Sequence, residues 1–444
     1  MRRRRFLQGL AAGCAGLAVA PTVRALGAAP IVIRNARIFD GVAARLENGS
    51  LLIADRQIRR IAAGTIEAPE EAIVIDAGGR VLMPGLSDAH WHTTLAANSF
   101  ANLNAADPGL MFANSVAEAQ RTLMRGFTSV RDMAGPAFGI KAAIDAGTIP
   151  GPRIFPSGAM ISQTAGHGDF SEVHARPQTL GGTPARLEEL GEFLVANGVP
   201  EVLAAVRTQL KKGASQIKLA LGGGVVSDFD PIDSLQYTEA EIRAAVDAAA
   251  DWGTYVAAHV YSTAGIRRAI AAGVRSIEHG NLADEATIRL MAEKGVWLSV
   301  QAFEATDTKV SPEMLEKGKA LQGTWERVLG WAKQHGTKVA FGTDLLFQPA
   351  LTAKENEMLT RFARVFGSLG ALKIATSGNA ELFQLAGPRN PYRQAKLGVV
   401  QEGAWADLLI VEGDPTQDIG VLRDYERNLS VIIKDGTIHK MRLG

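Results

Sequence analysis

Short apolar runs near both ends of the chain have the composition of β-strands. Each run is rich in isoleucine, valine and leucine and is bounded by residues that favour turns. The runs lie at residues 31–34, 50–53 and 72–75 near the beginning and at residues 406–411 and 430–436 near the end. We expect the two ends, residues 26–85 and 395–444, to pair into one small β-sandwich domain.

The middle of the chain alternates short apolar runs with longer stretches in which apolar residues recur every three or four positions. This alternation is typical of strands and helices that build a parallel sheet. One helix is clearly marked over residues 242–252, because Thr238 and Glu241 form a capping pair ahead of it. The eight predicted strands cover residues 81–86, 127–131, 153–156, 216–219, 255–259, 276–279, 297–301 and 338–342.

The segment of residues 86–394 has a length that suits a (β/α)8 barrel with insertions. The predicted fold class is therefore α/β, with a TIM-like barrel and a small β-sandwich built from both chain ends. A glycine-rich stretch at residues 159–182 follows the third strand, where it could cover a site at that end of the barrel.

The composition is that of an ordinary globular protein. The 444 residues are 47% apolar and 21% charged, which fits neither a disordered nor a fibrous chain. The 47 lysine and arginine residues nearly balance the 46 acidic residues, so affinity for nucleic acid cannot rest on excess basic charge. We therefore expect no nucleic-acid partner and look for a small-molecule substrate in a pocket.

The first 25 residues resemble an export signal. Arg2 to Arg5 precede an apolar run at residues 6–20, and residues 23–25 resemble a cleavage site. Residues 3–7 are similar to the twin-arginine signal, which predicts a periplasmic or secreted protein. Five basic and no acidic residues lie in this segment, so the rest of the chain has 42 basic and 46 acidic residues, a net charge of −4.

Cys14, the only cysteine, lies inside this segment, so the exported chain has no disulfide and no thiolate nucleophile. Acylation of Cys14 is a weaker alternative, because the residues around it fit a lipoprotein signal poorly. A basic arm for nucleic acid is another alternative, against which the adjoining apolar run argues. No later run of 18 apolar residues occurs, so we expect no stable membrane anchor.

Histidines mark the ends of several predicted barrel strands, which is where active sites of such barrels lie. The first strand is followed by His90 and His92, and the fifth and sixth end in His259 and His279. Asp344 follows the eighth strand. Two histidines separated by one residue on a strand face the same side and can chelate one divalent ion. The pattern therefore predicts a metal site.

The fourth predicted strand contributes Lys218 to the same end of the barrel. An ammonium group beside metal ligands would repel the cations, whereas a lysine carboxylated by CO2 is an anion that can bridge two metals. The following glycines, Gly222 to Gly224, could form an anion-binding nest or, more simply, a flexible turn.

Several motifs together resemble the amidohydrolase superfamily. They are the sequence PGLSDAHWH at residues 84–92, the lysine of strand 4, the two later histidines, Thr343-Asp344, and the tail segments 375–381 and 398–415. The resemblance implies a site with two Zn²⁺ ions. His90, His92 and Asp344 would hold the buried ion, His259 and His279 the more exposed one, and carboxylated Lys218 would bridge them.

Within the superfamily, residues 217–231 and 259–261 are similar to the branch that contains Xaa-Pro and Xaa-Lys/Arg dipeptidases and ochratoxinase. This similarity implies hydrolysis of the amide bond to a C-terminal amino acid in dipeptides, N-acyl amino acids or ochratoxin-type amides. It also implies a homo-oligomer, since relatives in this branch are often octamers. The deaminase branches lack a lysine at the position of Lys218.

The resemblance also assigns roles around the bond to be cleaved. Asp344 would accept a proton from the attacking water and deliver it to the leaving amine. His167 and Tyr261 match positions that contact substrate in relatives, where they would bind the oxyanion or the substrate carboxylate. We expect Glu278 to face away from the site, since side chains alternate along a strand and His279 faces inward. The remaining histidines, His174, His335 and His439, are expected at the surface.

Residues 302–303 and 345–347 predict an apolar wall, which favours release of an apolar or aromatic amino acid. Other reactions on the same site stay open, namely those of a lactonase, a phosphotriesterase or a cyclic amidase. A non-catalytic scaffold is a further alternative, although all six ligand positions hold competent residues. A serine hydrolase and a zincin are disfavoured, because the chain lacks the G-x-S-x-G and H-E-x-x-H motifs.

Overall fold

The computed structural model describes residues 29–43, 46–304 and 312–443 and, for residues 312 and 313, the backbone only. The predicted export signal at residues 1–25, including Cys14, lies outside the described residues. The strands are β1 (Ile31–Ile38), β2 (Glu47–Ala54), β3 (Gln57–Ala62), β4 (Ile73–Asp76), β5 (Val81–Pro84), β6 (Leu86–Trp91), β7 (Phe127–Asp132), β8 (Arg153–Pro156), β9 (Met160–Ser162), β10 (Phe193–Val195), β11 (Ile217–Ala220), β12 (Val256–Ser262), β13 (Ser276–Leu282), β14 (Trp297–Ser299), β15 (Leu408–Val411), β16 (Leu429–Lys434) and β17 (Thr437–Met441).

The helices lie mainly between the middle strands. They are α1 (Phe100–Ala105), α2 (Pro108–Met124), α3 (Phe138–Asp145), α4 (Arg186–Glu189), α5 (Gly198–Lys212), α6 (Glu239–Asp251), α7 (Thr263–Ala272), α8 (Glu285–Lys294), α9 (Pro312–Lys319), α10 (Thr324–His335), α11 (Glu355–Lys373), α12 (Asn379–Phe383) and α13 (Tyr425–Asn428). The Thr238 side chain caps α6 as predicted, since its hydroxyl accepts a hydrogen bond from the Glu241 amide. In the described part of the chain, no helix has both the length and the apolar character needed to cross a membrane.

Strands from both chain ends pair in one eight-stranded sheet. Its order is β17-β16-β15-β5-β1-β2-β3, with β4 paired to β1. The junction between the two ends is the antiparallel pair β5 and β15, in which Pro84 lies opposite Leu408. Ile33 and Ile433 are fully buried in the core of this unit. The expected division of these strands into two packed sheets, as in a sandwich, is not confirmed.

The middle strands form two parallel sheets. One contains β6-β7-β8 and the other β10-β9-β11-β12-β13-β14. The predicted first strand, residues 81–86, is in fact divided at Gly85, so that β5 joins the terminal sheet and β6 begins the parallel one. A side chain at Gly85 would lie 2.1 Å from the Thr128 hydroxyl, and this close approach requires glycine there.

The described strands do not form a closed eight-stranded barrel: the two parallel sheets are separate, and the predicted strand at residues 338–342 is only an isolated bridge between Val339 and Leu298. Its backbone still bonds to both neighbours: the Ala340 amide donates to the Leu298 carbonyl at 2.9 Å, and the Ala89 amide donates to the Phe341 carbonyl at 2.8 Å. The Phe341 amide instead donates to the Asn379 side chain, at 3.0 Å. This side-chain bond replaces a strand ladder there.

Candidate active site

One pocket lies at the carboxyl ends of the parallel strands and collects every predicted site residue. Polar side chains line its floor and apolar side chains line its wall. The predicted residues around it are His90, His92, His167, Lys218, His259, Tyr261, His279 and Asp344.

Strand β6 and the segments after residues 91 and 342 bring three candidate metal ligands together. The ring nitrogens of His90 and His92 and the carboxylate oxygens of Asp344 offer donor atoms that all lie within 4.8 Å of one another. Nε2 of His92 lies 2.8 Å from Oδ1 of Asp344. The Asp344 amide donates to the His90 carbonyl at 2.7 Å, which fixes this segment beside β6. This cluster could hold a divalent cation.

Glu278 orients the ring of His90. Nδ1 of His90 donates to Oε2 of Glu278 at 2.9 Å, which leaves the Nε2 lone pair available. Arg131 holds the same carboxylate with a hydrogen bond of 2.7 Å to Oε1. The expectation that Glu278 faces away from the site is therefore wrong. The backbone of His279 has a φ of 76°, so the strand is irregular at this point and the regular alternation of side chains on which the expectation rested does not hold.

Two further imidazoles have one nitrogen engaged and one nitrogen left over. Nδ1 of His279 donates to Oε1 of Gln301 at 2.6 Å. Nε2 of His259 donates to the Gly223 carbonyl at 3.1 Å. A neutral histidine with one N–H satisfied by the protein presents the other nitrogen as a metal ligand. The donor set thus fits a metal. The hydrogen-bond partners of these histidines, and not only the residue types, indicate which nitrogen would bind the ion.

Lys218 is fully buried at the centre of these groups. Its Nζ lies 3.2 Å from Nε2 of His90. Burial, with a smaller contribution from Arg131, lowers the pKa of Lys218 to about 8, despite the opposing charges of Glu278 and Asp344. A substantial fraction of the amine is therefore neutral near neutral pH, which is the form that reacts with CO2.

Burial sets the protonation of the ligands. It lowers the pKa of His90 to about 4 and that of His279 to about 3, and it also lowers the pKa of His259. For Asp344, burial acts in the opposite sense, but the charges of His90, His279 and His92 and a hydrogen bond from His92 hold the pKa of its carboxyl well below the ordinary value. At pH 7 the imidazoles of His90, His259 and His279 are therefore neutral and Asp344 is a carboxylate, the forms that bind metals.

His167 and Tyr261 both lie beside the ring of His259. The rings of His167 and His259 stack with centroids 4.0 Å apart. Nδ1 of His167 lies 2.6 Å from the Ser227 hydroxyl and 3.3 Å from Oδ2 of Asp230. Burial raises the pKa of the Tyr261 phenol, so this group remains a hydrogen-bond donor at neutral pH. Both residues can therefore face a bound substrate.

The glycines after β11 pack closely against their neighbours. A Cβ at Gly224 would lie 2.0 Å from Nδ1 of His167, and one at Gly223 would lie 1.9 Å from the Pro231 carbonyl. The absence of side chains lets the loop pack directly against the imidazole of His167. Glycine is thus required by close packing.

The predicted apolar wall is present, but one of the residues predicted for it does not line the pocket. Phe303, Leu345, Leu346 and Phe347 line the pocket, whereas Ala302 lies behind the wall, fully buried. The prediction missed Glu304, which also lines the pocket. Other apolar side chains of the wall are Leu95, Met160, Phe170, Phe193, Leu315, Leu321, Trp325 and Leu351.

Glu304 is not a free negative charge. Its Oε1 accepts a hydrogen bond from Nη1 of Arg364 at 2.7 Å, and Oε2 lies 3.8 Å from Nη2 of Arg361. These two cations reduce the attraction that the carboxylate could exert on a basic substrate.

Sequence reasoning also missed the partners of the predicted residues. Gln301 follows β14 at the carboxyl end, and the rule that selected the histidines would have selected it. Ser227 and Asp230 carry no such signal, because they lie in an irregular loop. Of the histidines expected at the surface, His174 is exposed and His335 lies 2.8 Å from Glu285, outside the pocket. His439, in β17, is half-buried and also lies outside the pocket.

Comparisons with known proteins agree with this geometry. Residues 81–440 match the model of the Amidohydrolase family. The chain is 30% identical over 438 residues to the ochratoxinase of Aspergillus niger, which covers 92% of this chain and 86% of that protein. The expected resemblance is confirmed.

Two solved structures are also similar over most of the chain. A prolidase complexed with N-methylphosphonate-L-proline has a TM-score of 0.85 and 35% identity, with coverage of 93% of this chain and 100% of that chain. A Xaa-Pro dipeptidase with bound methionine in its active site has a TM-score of 0.78 and 30% identity, with coverage of 93% and 100%.

Proposed function

Because the chain belongs to the amidohydrolase family and is a hydrolytic enzyme, we propose that it cleaves the amide bond to the nitrogen of a C-terminal amino acid. The observation that carries the proposal is the convergence of four imidazoles, the Asp344 carboxylate and the buried Lys218 amine in one pocket. The ochratoxinase and the Xaa-Pro dipeptidase among the relatives support amides and dipeptides as the substrate class.

The family is metal-dependent, and the proposed metal is zinc, with two ions per chain. His90, His92 and Asp344 would hold one ion, and His259 and His279 the other. Lys218 would bridge them after its neutral amine has attacked CO2 and lost a proton, which converts it into a carbamate anion. When bound, the zinc ions would supply Lewis acidity and lower the pKa of water toward neutrality.

Asp344 is the proposed proton carrier. Its carboxylate is ionised in the pocket, so it can accept the proton of the attacking water and later deliver it to the leaving amine. The neutral phenol of Tyr261 and the imidazole of His167 would bind the substrate carboxylate or the oxyanion that develops at the carbonyl. These two residues orient the substrate, whereas Asp344 moves the proton.

The pocket wall supports release of an apolar or aromatic amino acid. Phe303, Leu346 and Phe347 offer apolar surface to a side chain, and the Glu304 carboxylate already pairs with Arg364. A substrate with an arginine or lysine side chain would have to compete with that ion pair.

The test compares N-acetyl derivatives of phenylalanine, proline and arginine with a lactone and an organophosphate triester, using purified enzyme of measured metal content. We expect amide hydrolysis, with release of phenylalanine or proline about tenfold or more faster than release of arginine. Hydrolysis of only the lactone or the triester would contradict the amidase assignment. Full activity with less than about one zinc per chain would contradict the metal site.

We further propose twin-arginine export to the periplasm or medium and assembly into a homo-oligomer. Replacing Arg4 and Arg5 by lysine should retain the protein in the cytoplasm, as cell fractionation would measure. An unchanged distribution would contradict the export route. Light scattering of the purified enzyme would test the oligomer, which a monomeric mass would exclude.

A further inference from the structure

Helix α9 places one lysine in an unusual environment. The helix follows β14 in the chain, and Leu315 and Gly318 on it line the pocket. Lys317 lies between them in sequence, and its side chain is only 19% exposed. Lys319, two residues later on the same helix, has a side chain that is 58% exposed. Lys317 is therefore directed into the protein, unlike the ordinary solvated lysine of a surface helix.

The ammonium group of Lys317 binds the loop after β11. Nζ donates to the carbonyl of Gly224 at 3.1 Å and to that of Asp230 at 2.9 Å. It also contacts the Ser227 carbonyl closely, and Oδ1 of Asp230 lies 3.4 Å away. Three carbonyls and a carboxylate match the three N–H donors and the positive charge of an ammonium. One side chain thus joins α9 to a loop that lies about 90 residues earlier in the sequence.

The same loop residues hold His167 from the other side. Ser227 accepts or donates at Nδ1 of His167 through its hydroxyl, and its carbonyl faces Lys317. Asp230 uses Oδ1 toward Lys317 and Oδ2 toward His167 and the Gly224 amide, at 2.7 Å for the last of these. The Asp230 side chain is buried, so its charge is balanced mainly by these contacts. Lys317, the loop and His167 form one continuous polar chain.

We infer that Lys317 is a positioning residue of the substrate site: its ammonium group fixes residues 224–230 and, through Ser227 and Asp230, holds the imidazole of His167 toward the pocket. The inference rests on the proposed function for the role of His167 in substrate binding. It couples α9, which forms part of the apolar wall, to the polar group that would bind the substrate carboxylate. Among the proposed metal ligands, His259 adjoins this chain of contacts, because its ring stacks on that of His167 and its Nε2 donates to the Gly223 carbonyl.

The test uses Lys317→Met in the otherwise intact enzyme, with Lys319→Met as the matched control on the same helix. We expect KM for an N-acyl amino acid to rise about tenfold or more, with kcat within about threefold and zinc content unchanged. Lys319→Met should behave as the wild type. A loss of kcat or zinc with unchanged KM would overturn the inference, since it would indicate general damage to the site.

Two further variants separate positioning from simple packing. In a His167→Ala background, Lys317→Met should add less than about twofold to KM, because the residue through which it acts is already absent. Lys317→Cys, made in a Cys14→Ser chain and alkylated with 2-bromoethylamine, restores an ammonium group of nearly the same reach. Alkylation should reverse most of the rise in KM. The inference is overturned if Lys317→Met and His167→Ala raise KM by factors that multiply in the double variant. It is also overturned if alkylation does not lower KM again.

Hydrogen exchange supplies a readout that needs no substrate. Amides in residues 222–231 should exchange faster in Lys317→Met than in Lys319→Met. If no amide is hydrolysed, the proposed function fails, and the exchange result alone decides whether Lys317 holds the loop. Unchanged exchange would overturn the tether, as would faster exchange accompanied by an unchanged KM in an active enzyme.

Discussion

The two halves of the pocket are held by different means. The strand-held half comprises side chains on or directly after parallel strands, and the loop-held half comprises side chains from the loops that surround them. The strand-held half consists of His90, His92, Lys218, His259, His279 and Asp344, and the loop-held half of His167, Gly224, Ser227, Asp230 and Lys317.

In the strand-held half, backbone pairing and fully buried partners such as Glu278 and Arg131 fix each group. In the loop-held half, hydrogen bonds and ion pairs between side chains replace the strand pairing. The proposed metal ligands and the proposed proton carrier therefore lie in the strand-held half, and His167, which is proposed to bind substrate, lies in the loop-held half. Changes in the strand-held half should alter kcat and metal content, whereas changes in the loop-held half should alter KM.

The largest effect is expected for Lys218→Ala. The substitution removes the bridging group proposed between the two zinc ions, so kcat should fall about 10³-fold or more and zinc content should drop below two per chain. Added acetate or propionate should restore part of the activity, because a small carboxylate can occupy the space of the carbamate. Metal analysis and initial rates measure both effects. Wild-type activity in this variant would refute the bridging role.

A smaller effect is expected for Glu278→Gln in the same half. The substitution removes the charge that orients His90, and such partners typically change metal affinity or activity by about 10–100-fold. The matched control is Glu285→Gln, since Glu285 lies at the same kind of distance, 2.8 Å, from the ring of the half-buried His335. Competition with a chelator measures zinc affinity. Equal changes in zinc affinity in the two variants would show that Glu278 has no special role in orienting His90.

The pH dependence of carbamate formation should be smaller still, at most about tenfold for each pH unit, and has a definite sign. Only the neutral amine of Lys218 reacts with CO2, and its pKa is lowered to about 8. At fixed dissolved CO2, reactivation of metal-free enzyme by zinc should therefore accelerate up to about tenfold per pH unit below that value and level off above it. A reactivation rate that falls as the pH rises from 6 to 8 would contradict the carbamate.

The smallest effect is expected at the rim of the apolar wall. Glu304→Gln should change the ratio of kcat/KM for phenylalanine and arginine release by less than about threefold, because Arg364 and Arg361 already offset the carboxylate. Parallel assays of the two N-acetyl amino acids measure this ratio. A loss of arginine release of about tenfold or more would instead assign Glu304 to binding of a basic side chain.

The sequence predicted the strand-held half well for a simple reason. Parallel strands bring their carboxyl ends together, so residues such as His90, His259 and Asp344 can be grouped from the sequence alone. The contact of Glu278 with His90 was missed because the rule of alternation assumes a regular strand, whereas the backbone of His279 has a positive φ. The eighth strand was overpredicted because the side chain of Asn379 supplies a hydrogen bond that a ladder would otherwise make.

The loop-held half had little signal in the sequence beyond His167 itself. Lys317 in α9 and Asp230 in an irregular loop lie 87 residues apart, and no spacing rule connects such positions. Gly224 was visible as a glycine, but its purpose depends on the ring of His167, which approaches from a third loop. Long-range packing of loops is decided by tertiary contacts, which local patterns do not encode.

The left-handed backbone at His279 has a consequence for the evolution and engineering of this enzyme. A residue with a β-carbon in that conformation costs about 1–2 kcal/mol, and glycine or asparagine would adopt it more easily. Selection for thermal tolerance alone would therefore favour replacing this histidine, at the expense of a proposed metal ligand. Screens for heat-resistant variants should be run with zinc and substrate present, or they will enrich stable proteins that no longer turn over.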